Sequence, residues 1–213
     1  MNDVDFTPES EPAVAARIFG SGIGQARKYA EALARDGETF GLLGPREYPR
    51  LWTRHILNSA VVAELVSPGQ TVGDVGSGAG LPGIVLAIAR PDVRFVLIEP
   101  MERRTDWLSE QAAELDLANV TVCRSRVQDA PYMEACDVVT ARAVSALKTL
   151  VPMTAPLVRP GGQLLLMKGV NADREIDEAR KQLRAHGVHN PVVILSGESI
   201  LEEPTRLVQA TVE

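Results

Sequence analysis

Short apolar runs alternate along this chain with longer segments in which apolar positions recur roughly every three or four residues, the helical period. The first forty residues predict two helices, Ala13–Phe19 and Gly24–Arg35, the second carrying Ala26, Ala30, Leu33 and Ala34. Gly37, Gly41, Gly44 and Pro45 interrupt the pattern, and a longer helix is predicted over Pro49–Val66, closed by Ser67-Pro68-Gly69. From there the alternation is regular. It predicts strand Thr71–Val75, helix Leu81–Arg90, strand Arg94–Glu99, helix Glu102–Leu115, strands Val120–Arg124 and Asp137–Ala141, helix Ala146–Leu157 and strand Gln163–Lys168. A helix over Asp173–Ala185 and strands Pro191–Leu195 and Arg206–Val212 complete the chain. Strands alternating with helices define an α/β fold with a doubly wound, mostly parallel sheet. The last two strands have no helix between them, so an antiparallel C-terminal edge strand is expected. Residues 1–69 read as an N-terminal helical extension packed on a core of residues 70–213, together one compact domain.

The first strand runs into Asp74-Val-Gly-Ser-Gly-Ala-Gly80, an acid followed by three closely spaced glycines. Backbone without Cβ can approach a ligand closely at Gly76, Gly78 and Gly80. A helix starting near Leu81 would aim its free N–H groups at the same place. Dinucleotide sites read Gly-x-Gly-x-x-Gly, whereas the third glycine here comes one residue earlier. The spacing resembles motif I of the class I S-adenosylmethionine (SAM) methyltransferases, a Rossmann-like fold. A nicotinamide or flavin site and a bare strand-to-helix turn are the alternatives. Ligands of such sheets bind outside the carboxyl ends of the strands. Glu99 closes the second strand, where a carboxylate can accept both ribose hydroxyls of an adenosine, and an apolar residue with an amide or carboxylate in the run Cys123–Asp129 could cover the adenine. Arg142 ends the fourth strand, where methyltransferases present the acceptor.

Composition narrows the picture. Of 213 residues, 45% are hydrophobic and 23% charged, an ordinary globular balance. Cys123 and Cys136 are too few for a disulfide framework and read as free thiols of a reducing compartment. The acidic start, Met1 to Pro12, lacks the order of a signal peptide, and no apolar stretch is long enough to span a bilayer. A cytoplasmic protein with no membrane contact is expected. The net charge of −6 argues against nucleic acid, but the acids concentrate at the two ends and the middle balances. Arg46, Arg50, Arg54 and His55, with Lys148, are the candidate RNA-binding face.

Several methyl acceptors can be argued down. Thr140-Ala-Arg-Ala143 lacks the Asn/Asp-Pro-Pro-aromatic pattern of adenine-amine enzymes, and neither cysteine sits in the loop that cytosine-C5 attack requires. With three histidines the chain shows no metal-ligand spacing, and no metal is expected. Guanine N7 loses no proton on methylation and needs only positioning. The segments Leu51-Trp-Thr-Arg-His-Ile-Leu-Asn-Ser59, Val75-Gly-Ser-Gly-Ala-Gly-Leu-Pro-Gly-Ile84, Ser125-Arg-Val-Gln128, Thr140-Ala-Arg-Ala143 and Leu166-Met-Lys-Gly169 resemble the bacterial 16S rRNA guanine-N7 methyltransferase G family, also called the glucose-inhibited division protein B family. The resemblance covers nearly the whole chain after about residue 40. It implies SAM as cofactor, held by Gly76, Leu81, Val127, Gln128 and Arg142 with Glu99 as the ribose acid, alongside Asp74, Gly78 and Gly80 of the loop. It implies methylation of one guanosine in the decoding-region loop of 16S rRNA, on naked RNA or the small ribosomal subunit, by a monomer, and links loss of the enzyme to streptomycin resistance. Asn58 and Gln128 stand where many members carry acids. Arg142, Lys168 and His55 are then expected to position the acceptor, Arg142 and Lys168 by gripping phosphate or the guanine edge, His55 and Arg54 by seating the RNA. A nicotinamide-dependent oxidoreductase and an RNA-binding module with a vestigial cofactor pocket remain the other readings.

Overall fold

A computed structural model describes residues 6–213; of the acidic start, Met1 to Asp5 lie outside the described residues. Seven strands form one sheet in the order β3-β2-β1-β4-β5-β7-β6. They are β1 (Thr71–Val75), β2 (Arg94–Glu99), β3 (Val120–Arg124), β4 (Cys136–Arg142), β5 (Val158–Met167), β6 (Val188–Ser196) and β7 (Thr205–Val212). The first five pair in parallel. β7 runs antiparallel between β5 and β6, so the chain's last strand is interior and β6 forms the edge. Strand order reverses at β1 and β4, the switch point where ligands of such sheets bind.

Helices cover both faces, which explains why the central strands read as continuous apolar runs. On β2, Phe95 and Leu97 enter one hydrophobic cluster and Val96 and Ile98 the other, as the two-residue period of a strand requires. The first cluster is shared with α1 (Val14–Phe19), α2 (Ile23–Asp36), α4 (Gly83–Ala89) and α5 (Glu102–Glu114), and the second with α6 (Leu147–Thr154) and α7 (Ala172–Ala185). The N-terminal helices therefore share a core with the sheet. They also position the glycine turn, because the buried Tyr29 hydroxyl donates to Ala79 O at 2.5 Å.

The segment predicted as one helix over Pro49–Val66 is irregular. A 3-10 turn at Pro45–Arg50 leads into a π-helical turn at Leu51–Leu57, then α3 (Asn58–Ala60) and a 3-10 turn at Val61–Leu65. π-Turns frequently mark functional sites. Here the Arg142 guanidinium donates to Arg54 O at 3.0 Å and His55 O at 3.1 Å, drawing carbonyls that an α-helix would keep for its own amides. Other boundaries move: β6 begins three residues before the predicted Pro191, and α6 ends at Thr154, with a 3-10 turn over Ala155–Leu157. α4 begins at Gly83 rather than Leu81, and β5 begins five residues before the predicted Gln163, with Gly161 at φ +76° in the left-handed region just before it.

Candidate active site

A cavity of about 470 Å³ lies at the carboxyl ends of β1, β2 and β4. Gly76, Glu99, Val127 and Gln128 line it, together with Ile98, Met101, Arg104, Val144 and Met153. Its size suits a small organic cofactor. One wall is backbone at Gly76, whose φ is +68°. The other walls are mostly apolar, with Arg104, Ser125, Arg126 and Gln128 beside them, and among the lining residues Glu99 is the one carboxylate. Glu99 is 3% exposed and accepts from Gly78 N at 3.0 Å through Oε2 and from Met101 N at 3.0 Å through Oε1. Two carboxylate oxygens have further lone pairs for ligand hydroxyls. Arg104 Nε is buried in the same region without a hydrogen-bond partner, while its Nη1 lies 3.9 Å from Glu99. Backbone approach, an apolar slot and a ribose-type acid fit an adenosine-containing cofactor.

The three glycines divide their work. A Cβ at Gly76 would lie 2.9 Å from Val144 Cγ2, in the cavity wall. At Gly80 it would meet Ile84 Cγ1 at 2.5 Å and Leu108 Cδ2 at 3.1 Å, inside the core. At Gly78 nothing lies closer than Gly76 O at 3.7 Å. Gly80 thus serves the packing of the turn on α4 and α5, and Gly83, which sequence reasoning passed over, serves helix–strand packing, its would-be Cβ overlapping Leu97 Cδ2 and lying 2.6 Å from Asp74 Oδ2.

Asp74, Gly78, Gly80 and Leu81 stand behind the cavity rather than along its lining. Asp74 is fully buried and accepts from Gly83 N at 3.0 Å, so the first amide of α4 is capped from within the chain instead of pointing freely at a ligand. Its Oδ1 has no hydrogen-bond partner among the described residues. Burial pushes the Asp74 carboxyl up to about 7, against the pull of the Gly83 amide.

Arg142 and His55 form a second layer. Besides the two carbonyls, Arg142 donates to Ser59 Oγ at 3.0 Å and to His55 Nδ1 at 2.9 Å. A guanidinium only donates, so Nδ1 accepts and the ring proton sits on Nε2, 2.8 Å from Glu47 Oε2. Burial and the Arg142 charge hold His55 down to about 4, with Glu47 opposing. His55 is 7% exposed, so its ring lies behind the surface rather than on it. Lys168 is likewise turned inward: Nζ donates to Ser145 O at 2.8 Å and pairs with Glu175 at 2.7 Å, and Glu175 also accepts from Leu147 N at the start of α6. Arg142 and Lys168 therefore brace the loop between β4 and α6 instead of presenting free charge to phosphate. Arg46, Arg50, Arg54 and Lys148 are exposed. Glu47 and Ser59, which hold this layer, escaped the sequence reading; the acid eight residues before His55 was the available signal.

The fold and this cavity define a SAM-dependent methyltransferase. Similar solved structures include a SAM-dependent methyltransferase from Aquifex aeolicus, 21% identical with a TM-score of 0.55 over 73% of this chain and 89% of that one. M. jannaschii TYW2, solved in complex with AdoMet, is 16% identical with a TM-score of 0.58 over 75% and 76%. The sequence comparison is closer. The model of the rRNA small subunit methyltransferase G family matches residues 23–201, and the chain belongs to that family. Relatives named ribosomal RNA small subunit methyltransferase G include those of Leifsonia xyli subsp. xyli, 59% identical over 96% of this chain and 97% of the relative, and of Clavibacter sepedonicus, 54% identical over 96% of each.

Proposed function

We propose that the chain transfers a methyl group from SAM to N7 of a guanosine in the decoding-region loop of 16S rRNA. Membership of the family across both the cavity and the basic segment around His55 carries this reading. When bound, SAM supplies a methyl group activated on a sulfonium. Glu99 would hold the ribose, Val127 and Gln128 the adenine, and the Gly76 backbone the cofactor's approach, with Asp74, Gly78, Gly80 and Leu81 fixing the turn. The N7 lone pair attacks carbon directly and no proton is removed, so the residues need only align donor and acceptor. His55 agrees with this chemistry: both ring nitrogens are engaged, and neither is free to take a proton. His55, Arg142 and Lys168 would act as positioning residues, setting the loop that follows β4. Arg46, Arg50, Arg54 and Lys148 would meet RNA phosphates, on naked rRNA or the small subunit. Among the described residues no helix is long and apolar enough to cross a membrane; we place the enzyme in the cytoplasm, acting as a monomer on one domain.

Incubating the protein with methyl-labelled SAM and 16S rRNA or small subunits, then digesting to nucleosides, tests the reading. Label in 7-methylguanosine is expected; label in another nucleoside, or none on either substrate, would overturn it.

A further inference from the structure

One carboxylate stands between the basic surface and the cofactor cavity. Glu47 Oε1 accepts from Arg50 Nη2 at 2.6 Å, while Oε2 lies 2.8 Å from His55 Nε2 and 3.4 Å from Arg54 Nε. The side chains of Arg50 and Arg54 are 46% and 54% exposed, that of Glu47 26%. Inward, His55 holds Arg142, and the next residues, Ala143 and Val144, line the cavity. Outward, Arg50 and Arg54 border a groove of about 400 Å³ with Thr53 and Asn58, and with Glu202 and Glu203 in its lining. As exposed ion pairs the two arginine contacts stabilise little. Their geometry matters more: arginine recognises a carboxylate and a phosphate through the same fork of N–H donors. The contact to His55 differs in kind, because that ring is buried and its proton has one acceptor.

We propose that Glu47 is a positioning residue with two tasks: in the free enzyme its carboxylate occupies Arg50 and Arg54 in place of RNA phosphate, and when phosphates take those arginines it stays on His55 Nε2–H and keeps the His55–Arg142 pair in place behind the cavity. The inference rests on the rRNA reading above. It makes an unusual demand, that removing Glu47 strengthens RNA binding while weakening the bound-state reaction. Loss of structure alone would lower both.

The test compares wild type, Glu47→Gln and Glu47→Ala on small-subunit rRNA, by filter binding across a salt series and by single-turnover methylation at saturating RNA and SAM. Both variants should bind RNA about 3–10-fold tighter at low salt, with the slope of log affinity against log salt steeper by about one, because the arginines no longer exchange a carboxylate for a phosphate. The saturated rate should fall about tenfold in Glu47→Ala and recover in Glu47→Gln, whose amide oxygen still accepts from Nε2. RNA affinity unchanged or weaker in Glu47→Gln overturns the proposal, as does a wild-type rate in Glu47→Ala. If Glu47→Ala fails to fold, the affinity and slope of Glu47→Gln decide. A wild type that neither binds nor methylates the RNA removes the substrate reading and this inference with it, whereas an active wild type with the wrong variant pattern removes this inference alone.

Discussion

Replacing Gly80 with Ala separates the packing glycine of the turn from those nearer the cofactor. A Cβ at Gly80 would lie 2.5 Å from Ile84 Cγ1, 2.9 Å from Ile84 Cβ and 3.1 Å from Leu108 Cδ2, and Ile84 and Leu108 are both 0% exposed. Forcing one methyl into a packed core costs about 1–3 kcal/mol. The left-handed backbone at φ +80° adds about 1–2 kcal/mol for an L residue. Together these come to about 2–5 kcal/mol, a drop of roughly 4–20 °C in melting temperature for a chain of this size. Gly78→Ala shares the left-handed backbone, at φ +54°, but its Cβ would find only Gly76 O at 3.7 Å. Its loss should stay near 1–2 kcal/mol, roughly 2–8 °C. Gly76→Ala should instead weaken SAM, since its Cβ pushes Val144 in the cavity wall. Thermal unfolding by circular dichroism, with calorimetric SAM titration of each folded variant, resolves the three. A Gly80→Ala protein melting within error of Gly78→Ala would refute the packing assignment.

Glu99→Ala should weaken SAM by about 1.5–3 kcal/mol, the range for hydrogen bonds to a charged group, with little effect on rRNA binding; calorimetry showing unchanged SAM affinity would remove Glu99 from the site. Asp74 is raised from 3.8 to about 7, so the folded chain keeps a proton that the unfolded chain has released, and that stability is full below about pH 4 and lost as pH rises through about 7. Asp74→Asn cannot ionise and should gain about 3 kcal/mol on wild type between about pH 5 and 8 in urea unfolding without cofactor; a pH-independent difference would contradict the buried carboxyl. With His55 held to about 4, single-turnover methylation should be nearly flat from about pH 6 to 9. A rate rising tenfold per unit below about pH 7, lost in His55→Asn, would make His55 a general base.

The sheet was legible because buried parallel strands write themselves as apolar runs and their parallel pairing follows from the helices between them. The cavity was legible in outline for the same reason: Gly76, Glu99, Val127 and Gln128 sit at or just after strand ends, where the fold brings ligands, and all four line it. What local pattern does not encode is which side of a backbone faces a ligand and which faces the core. Gly76 and Gly80 look alike in sequence, yet one borders the cavity and the other packs on Ile84. The π-turn at Leu51–Leu57 depends on Arg142, 88 residues beyond Arg54, and helical periodicity carries no trace of such a partner. Lys168 and His55 read as groups that grip phosphate and seat RNA because of their chemistry. Their burial and their partners Glu175 and Glu47 appear only once the chain is folded.

N7 of one guanosine in small-subunit rRNA is the proposed target of this chain. Mapping 7-methylguanosine by chemical cleavage along 16S rRNA, from cells with the gene, without it, and with Glu99→Ala in its place, tests that most directly. One decoding-region site is expected, modified with the wild-type gene, unmodified without it, and less modified with Glu99→Ala. A 7-methylguanosine pattern identical in all three strains would contradict it.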